Sequence, residues 1–248
     1  MGSQATPAPR GGGAVAAVQA SEVGAWATET DVLVVGFGAA GASAAIEAAE
    51  AAGPAGQVDV IDAAGGWGGA TAMSGGEIYL GGGTAIQKAC GFDDTPEAMY
   101  EFLRVATGPG VDEAKLRMYC EESVEHFDWL VRCGVPFEST LWTEPSWEAP
   151  PGYGLMYTGG ENAYPFADAV APAPRGHIVH MTDKKPGERS AGWMLLNHLS
   201  RAAESAGARV RYNTRARRLV LDGDRVVGAE VSTFGEHSFV RARRGVVL

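Results

Sequence analysis

The sequence predicts an α/β fold with a parallel sheet, followed by a three-stranded antiparallel meander. The run DVLVV at 31–35 is short, apolar and β-branched, as a central parallel strand is, and it leads into a glycine-rich turn. An alanine-rich segment at 39–52 predicts a helix, which Gly53 and Pro54 end. A second apolar run, VDVI at 58–61, completes one unit of strand, helix and strand.

Short runs near the C-terminus predict the meander. Residues 217–221, 225–232 and 238–243 favour strands, and the turns Asp-Gly-Asp and Phe-Gly-Glu separate them. Residues 245–248 are apolar again after the glycine, and we expect them to start a further, buried strand.

Three longer segments carry helical signals. Residues 95–106 begin with Thr-Pro-Glu, a cap followed by a first-turn proline and acid. Residues 112–134 place apolar side chains at helical spacing and predict one helix, and 192–206 predicts another that leads into a strand at 208–212. The stretch 135–190 has no sustained period and is rich in proline and aromatic residues, which indicates an irregular segment with a functional role.

The bulk composition is that of an ordinary globular protein. The chain has 248 residues, of which 46% are hydrophobic and 20% are charged. Its net charge of -10 argues against nucleic acid or an anionic membrane as a partner, because either would select a basic surface. No run approaches the roughly 18 consecutive apolar residues of a spanning helix. We therefore expect a disordered tail over 1–28 and one domain over 29–248.

Cysteines and histidines give little sign of a metal centre. Cys90, Cys120 and Cys133 have neither CxxC spacing nor an even count, which argues against a disulfide framework or a zinc site and favours a reducing cytoplasm. His177 and His180 form an HxxH pair in a proline-rich segment without helical phase, so no metal is expected there.

The segment 36–41 reads GFGAAG, a GxGxxG motif that directly follows one predicted strand and opens a predicted helix. In a Rossmann-like unit, Gly36 would make the tight turn and Gly38 would let the backbone approach a pyrophosphate. Gly41 would bring the helix close to the sheet. Asp62 ends the second strand and would accept hydrogen bonds from ribose hydroxyls. Together these features predict a dinucleotide site.

A second glycine-rich run, GGWGGATAMSGGEIYLGGG at 65–83, favours a flavin over a nicotinamide. A nicotinamide-binding domain usually continues from its second strand into another helix. Here the chain continues into glycines that we expect to be exposed, together with Thr71 and Ser74, a segment suited to follow a ribityl chain.

The string GGATAMSGGEIYLGGGT and the GxGxxG unit together resemble the FAD-dependent fumarate reductase and succinate dehydrogenase flavoprotein superfamily. Within it, the sequence is most similar to 3-ketosteroid dehydrogenases of the Δ4-(5α) type. The strings that carry this similarity are IQKACGFDDTPEAM, SVEHFDWLVRCGVPF, GLMYTGGENAYPF and APAPRGH. The resemblance implies a glutathione-reductase-type FAD-binding domain over 29–248, with the substrate-capping domain absent.

The same resemblance implies which residues would meet FAD. These are Gly36, Gly38, Ala40 and Gly41 at the pyrophosphate, Asp62 and Ala63 at the adenosine ribose, Gly69, Ala70, Thr71, Ser74, Gly75 and Gly76 along the pyrophosphate, ribityl chain and flavin ring, and Ala216 at the adenine. The Ser-His-Thr string that attaches FAD covalently in succinate dehydrogenases is absent, so non-covalent FAD is expected. The proton-transferring arginine or tyrosines of the superfamily lie in a later half, so the catalytic residues stay unknown.

The implied reaction is hydride transfer between a substrate carbon and FAD at a carbon–carbon bond next to a ketone, with a steroid as the small-molecule substrate. One alternative is a fumarate or enoate reductase that acts on a dicarboxylate. Another is a flavin-binding fragment or subunit that is inactive until a complementary C-terminal half is supplied.

Overall fold

The frame of the molecule is a twisted sheet of long strands, seen here in a computed structural model that describes residues 16–146, 149–158, 160–181 and 191–248. The strands are β1 (Val18–Gln19), β2 (Thr28–Val35), β3 (Val58–Ile61), β4 (Glu77–Tyr79), β5 (Leu141–Trp142), β6 (Leu155–Met156), β7 (Gly176–Ile178), β8 (Arg209–Arg211), β9 (Thr214–Asp222), β10 (Arg225–Thr233) and β11 (Glu236–Val247). The α-helices are α1 (Ala39–Ala52), α2 (Gly69–Met73), α3 (Ala85–Ala89), α4 (Pro96–Thr107), α5 (Glu113–Glu121), α6 (Ser123–Arg132), α7 (Phe166–Ala169) and α8 (Gly192–Ser205). A 3₁₀ turn spans Ala20–Glu22.

The main sheet has the order β1-β9-β10-β11-β2-β3-β8 among the described strands. Strands β2, β3 and β8 are parallel, and β9, β10 and β11 form an antiparallel meander. On one side of β2 and β3, α1 and α8 cover a large apolar cluster; on the other side, the meander covers Leu33 and Ile61. The predicted α/β class, with its parallel sheet, its βαβ unit and its meander, is confirmed.

The meander strand and the predicted closing strand are one element. Strand β11 pairs antiparallel with β10 through its first half and parallel with β2 through its second, where Val247 lies opposite Val34. The ladder shifts register between Ala242 and Gly245, which explains why the sequence looked interrupted there. The expected burial of 245–248 is wrong for the last two residues, because Val247 and Leu248 are 39% and 78% exposed, whereas Val246 packs against the cluster of Leu33 and Ile61.

The predicted helix over 112–134 is also wrong as a single element. It breaks at Glu122, whose φ of -90° and ψ of 0° leave the helical region. Leu116 in α5 packs with Met99 of α4, whereas Phe127 in α6 packs in the large apolar cluster beside α1 and α8. One straight helix could not face both clusters, so the change of direction follows from packing rather than from a local breaker.

Part of the predicted disordered tail over 1–28 is ordered. Val18 is 5% exposed and pairs with Val220 of β9, and Trp26 packs its ring edge against Phe239. Apolar burial and strand pairing together fix this segment, which sequence composition alone did not indicate. The remainder of the predicted tail, 1–15, lies outside the described residues.

The described parts of 135–190 contain three very short strands and one helical turn. These three strands and β4 form a second sheet, of order β4-β7-β6-β5. Strand β7 pairs antiparallel with β4, so that Ile78 lies opposite His177. Strands of two or three residues are too short to show a period in the sequence, and this explains why the stretch was predicted to be irregular.

A buried ion pair fixes the end of β4. The Arg175 guanidinium donates from Nη2 to Asp94 Oδ1 at 2.6 Å and from Nε to Asp94 Oδ2 at 2.9 Å, and both side chains are at most 1% exposed. The backbone N–H of Gly82 donates to the same carboxylate at 2.9 Å. Burial opposes ionisation of Asp94, but the hydrogen bonds and charge of Arg175 outweigh it and hold the pKa of Asp94 below its ordinary value.

His177 lies in the same buried cluster. Its Nε2 is 2.7 Å from Thr84 Oγ1, and its Nδ1 is 3.1 Å from the Arg175 carbonyl oxygen. Burial lowers the pKa of His177 to about 4, so the imidazole is neutral at neutral pH. Among the described residues, no helix is both long and apolar enough to cross a membrane.

Replacing the buried carboxylate should cost much of the stability. In Asp94→Asn the Arg175 charge stays buried without an anionic partner, and we expect the free energy of unfolding to fall by about 3–5 kcal/mol in urea titrations. Glu97→Gln is the matched control, because Glu97 also pairs with an arginine but its side chain is 61% exposed. Equal effects of the two substitutions would contradict the buried role of Asp94.

Neutral His177 should make the protein acid-sensitive. The pKa of His177 is about 4 in the folded protein and 6.5 ordinarily. Between these pH values the imidazole is protonated in the unfolded chain but neutral in the folded protein. This contribution is fully present above pH 6.5 and is lost as the pH falls, by about 2 kcal/mol at pH 5. His177→Gln should remove that part of the slope in urea titrations at pH 7 and pH 5.

The same titrations at pH 7 and pH 8 provide the control. His177 is neutral in both states over that range, so wild type and variant should show the same change. An identical slope in the two proteins between pH 7 and pH 5 would show that His177 does not carry the acid sensitivity.

Candidate cofactor-binding site

The turn between β2 and α1 brings a helix N-terminus to the carboxyl edge of the parallel strands. Gly36 has a φ of +96°, and its N–H donates to the Ile61 carbonyl at 2.8 Å. A Cβ at Gly41 would lie 1.9 Å from the Gly36 carbonyl oxygen, so the close contact of helix and strand requires glycine. The structural roles predicted for these two glycines are confirmed.

Gly38 is different, because the protein itself does not need a glycine there. It is the N-cap of α1, with an allowed φ of -87°, and a Cβ would come no closer than 3.6 Å to any of the protein atoms described, the nearest being Thr71 Oγ1. The space beside Gly38 therefore stays open at the positive end of a helix. This is where a phosphate group binds most readily.

The first N–H groups of α1 point into this space. Ala39 donates to Thr71 Oγ1 at 3.1 Å, and helix geometry directs the N–H groups of Ala40 and Gly41 out of the first turn. Thr71 thus connects α2 to the start of α1. The arrangement supplies backbone donors to an anion such as a pyrophosphate.

Asp62 lies at the end of β3 and points toward the glycine turn. Its Oδ2 accepts from the Phe37 N–H at 2.7 Å and its Oδ1 from the Ala64 N–H at 2.8 Å. A carboxylate oxygen has more than one acceptor site, so both oxygens can still accept from hydroxyl groups. Ala63, which lies between Asp62 and Ala64 in the sequence, is exposed.

The start of β9 reaches the same end of β3. Thr214 N–H donates to the Asp62 carbonyl at 2.8 Å, and Asn213 N–H to the Ala64 carbonyl at 2.8 Å. Ala216 follows two residues later and packs against the apolar cluster that contains Leu33 and Ile61. Asn213 was not among the predicted site residues, although an Asn between two strands favours the φ of +53° that it adopts.

The glycines after β3, which we expected to be exposed, are only partly so, and part of the segment is helical. Residues Gly69–Met73 form the short helix α2, because its alanines and Met73 favour helix and Ala72 is buried. Gly69 and Ala70, at its start, are exposed. Gly81 and Gly83, at the far end of the run, are buried in the Asp94 cluster instead of facing a ligand.

Ser74, Gly75 and Gly76 link α2 to β4. The Ser74 hydroxyl donates to the Thr71 carbonyl at 2.8 Å and accepts from the Gly76 N–H at 3.3 Å. A Cβ at Gly75 would meet nothing within 4 Å, so one side of this link is open.

Helix α8 holds α2 in place through Gly192, a residue that the sequence analysis assigned only to a packed helix face. A Cβ at Gly192 would lie 2.2 Å from the Thr71 carbonyl oxygen, so the two backbones are in direct contact. Gly192 N–H also donates to the Ser74 carbonyl at 3.3 Å. Nothing in the sequence marked this contact, since a glycine at a helix start has many causes.

The predicted site residues thus border one open crevice that runs from Gly38 past Asp62 on one side and past Thr71 to Gly75 on the other. Gly76 is buried at its end, where a Cβ would lie 2.3 Å from the Ala191 carbonyl carbon. Ala216 lies near the end of the crevice at β3, because Thr214, two residues earlier, is hydrogen-bonded to the Asp62 carbonyl. His177 lies elsewhere, in the buried cluster. Among the described residues, no group of three or more His, Cys, Asp or Glu side chains is placed to hold a metal ion.

The residues present fit a dinucleotide. Space next to Gly38, backbone donors at a helix N-terminus and an acceptor carboxylate at the end of the next strand are the three requirements of such a site. All three occur at the carboxyl edge of parallel strands, where ligands of open α/β sheets bind.

Comparison with known proteins gives the same result. The profile of the FAD binding domain matches residues 31–248. A curated 3-oxo-5-alpha-steroid 4-dehydrogenase from Comamonas testosteroni is 33% identical over 216 residues, which are 85% of this chain and 39% of that protein.

Solved structures agree. A 3-ketosteroid-Δ4-(5α)-dehydrogenase from Rhodococcus jostii RHA1, in complex with 4-androstene-3,17-dione, is 53% identical with a TM-score of 0.89, covering 94% of this chain and 48% of that one. An open conformation of a flavocytochrome c3 fumarate reductase is 28% identical with a TM-score of 0.68, covering 90% of this chain and 33% of that one. The chain thus spans less than half the length of these relatives.

The resemblance inferred from GGATAMSGGEIYLGGGT and the GxGxxG unit is therefore confirmed. The open helix N-terminus at Gly38 explains in physical terms why a flavoprotein profile matches this sequence. By its match over 31–248, the chain belongs to the FAD binding domain family.

Proposed function

We propose that this chain is the FAD-binding part of an oxidoreductase that dehydrogenates a carbon–carbon bond next to the ketone of a 3-ketosteroid. The observation that carries the proposal is the crevice at Gly38, which is open and lined with backbone donors. The sequence is 53% identical to that of a 3-ketosteroid dehydrogenase, which supports the substrate class. Bound FAD would supply the hydride-accepting chemistry, and the protein would hold and orient it.

Each wall of the crevice has a proposed role. The turn residues Gly36, Gly38, Ala40 and Gly41 would face the pyrophosphate, because α1 presents its N–H groups there. Asp62 and Ala63 would bind the adenosine ribose, since the carboxylate is already aimed at the turn. The backbone of Ala216 would pair with the adenine.

The α2 side would take the remainder of the cofactor. The residues proposed to line the pyrophosphate, ribityl chain and flavin ring are Gly69, Ala70, Thr71, Ser74, Gly75 and Gly76. Open space beside Gly69 and Gly75 supports this assignment, as neither glycine would place a Cβ within 4 Å of the described atoms. We propose that FAD binds non-covalently.

Substrate capping and proton transfer are proposed to come from the part of the relatives that this chain does not span. Activity would then require a complementary half, in the same polypeptide or as a subunit. We also propose a reducing cytoplasm as the compartment, which the free thiols of Cys90, Cys120 and Cys133 support.

A reductase acting on a dicarboxylate is the second candidate. The 28% identity to a flavocytochrome c3 fumarate reductase favours it. The two candidates differ in the substrate cleft, because a dicarboxylate needs arginines whereas a steroid needs an apolar slot.

Gly38→Ala should separate cofactor binding from folding. The new Cβ meets no protein atom closer than 3.6 Å, so the unfolding temperature should fall by only a few degrees, the usual cost of alanine at an N-cap, but the Cβ occupies the space proposed for the pyrophosphate. We expect FAD affinity, measured by flavin fluorescence titration, to fall by about tenfold or more.

Two other glycines serve as controls for that substitution. Gly24→Ala adds a Cβ with nothing within 4 Å and should alter neither stability nor affinity. Gly41→Ala forces a Cβ against the Gly36 carbonyl and should destabilise the fold by about 3 kcal/mol or more. Unchanged FAD affinity in Gly38→Ala would refute the proposed position of the pyrophosphate.

The proposed reaction is tested on this chain joined to a C-terminal half such as that of the Rhodococcus relative. With FAD and an artificial electron acceptor, the joined protein should oxidise a saturated 3-ketosteroid but not succinate. In the reverse assay, fumarate should not reoxidise the reduced flavin of the joined protein. Heat or acid should release the flavin into a protein-free filtrate. Turnover of the dicarboxylate alone would favour the second candidate, and flavin that stays with the precipitate would contradict non-covalent binding.

A further inference from the structure

Two tryptophans flank the crevice outside the residues assigned to FAD. Trp67 lies in the loop between Asp62 and α2, and Trp193 is the second residue of α8. Their ring centroids are 5.5 Å apart and the rings are inclined by 48°, a favourable arrangement for two aromatic side chains.

Ordering the loop that carries Trp67 costs much conformational entropy. Gly65, Gly66, Gly68 and Gly69 surround it, and glycine loses more conformational freedom than any other residue when it is fixed. Hydrogen bonds hold the two ends of the loop, where Ala64 accepts from Asn213 and Gly68 accepts from the start of α2. The middle of the loop depends on Trp67.

Trp67 is held from two directions. It packs against the large apolar cluster beside α1 and α8, and its ring lies against Trp193. Trp193 is itself fixed, because the preceding residue, Gly192, is in backbone contact with α2. The ring of Trp193 thus ties the glycine loop to the same helix that positions Thr71 and Ser74.

Core packing accounts for only one member of this pair, because Trp67 packs against the large apolar cluster and Trp193 is not among the described side chains that do so. Trp193 is 47% exposed and Trp67 is only partly buried, so a large apolar surface is kept near solvent beside the crevice. An exposed aromatic contact of this kind adds little to the buried core. It does fix the position of a loop that would otherwise sample many conformations.

We propose that Trp67 and Trp193 are positioning residues that pre-organise the glycine loop for FAD. The inference rests on the proposed function, since it concerns the same crevice. The ordering cost of the loop is met during folding, so less of the interaction energy with the cofactor is spent on fixing the loop. Neither indole needs to touch the cofactor for this effect.

The test uses three variants of the chain, Trp193→Ala, Trp193→Phe and Trp26→Ala. Trp26 is the matched control, because it is also partly buried and packs on one aromatic ring, Phe239 at 6.3 Å, but it lies on the meander. FAD affinity is measured by fluorescence titration well below each unfolding temperature. The cofactor-free proteins are also compared by far-ultraviolet circular dichroism, in which two coupled indoles give a couplet.

We expect the couplet in cofactor-free wild type and in Trp26→Ala, and its loss in both Trp193 variants. Trp193→Ala should bind FAD about tenfold more weakly or worse, whereas Trp193→Phe keeps a ring against Trp67 and should recover most of the affinity. Trp26→Ala should bind FAD as wild type does, even if it unfolds at a lower temperature.

Two results would overturn the inference alone: unchanged FAD affinity in Trp193→Ala, or an equal loss of affinity in Trp26→Ala, which would indicate a general loss of stability. If wild type gives the couplet but binds no FAD, the proposed function fails and the inference fails with it. The wild-type titration therefore distinguishes the two failures.

Discussion

The contact between Gly41 and the Gly36 carbonyl is the constraint on which the crevice depends. Because no Cβ separates them, the first turn of α1 lies directly against the end of β2 and its N–H groups open at the carboxyl edge of the sheet. Asp62, at the end of β3, accepts from the Phe37 N–H just before this helix, and Thr71 of α2 accepts from the Ala39 N–H at its first residue. A helix start displaced by a single methyl group would lose both contacts.

The sequence predicted this part of the molecule well because its signals are local. A β-branched run, three spaced glycines and an acid at the end of the next strand all lie within one βαβ unit, and each has a distinct physical cause. The failures have nonlocal causes. The break at Glu122 follows from two separate apolar clusters, and the ordering of Val18 follows from pairing with Val220, far away in sequence.

The glycine run at 65–83 shows the same division within one segment. Its first part, through Gly75, borders the crevice, whereas Gly81 would place a Cβ 2.7 Å from Asp94 Oδ2 and serves a buried ion pair. The number of glycines alone could not distinguish residues that border the crevice from residues that pack on the ion pair. In both places the backbone must come close to another group. Only the partner distinguishes them, and neither Asp94 nor Arg175 carried a signal that linked it to the run.

The double pairing of β11 has a consequence for how the chain is made. Strand β2 has β3 on one side, within about 30 positions of it, but its other neighbour is the second half of β11, more than about 200 positions later. During synthesis one edge of the central strand therefore stays open until the second half of β11 has left the ribosome. An unpaired apolar edge of that kind invites association with other nascent chains, so shielding by a chaperone is most needed in this interval.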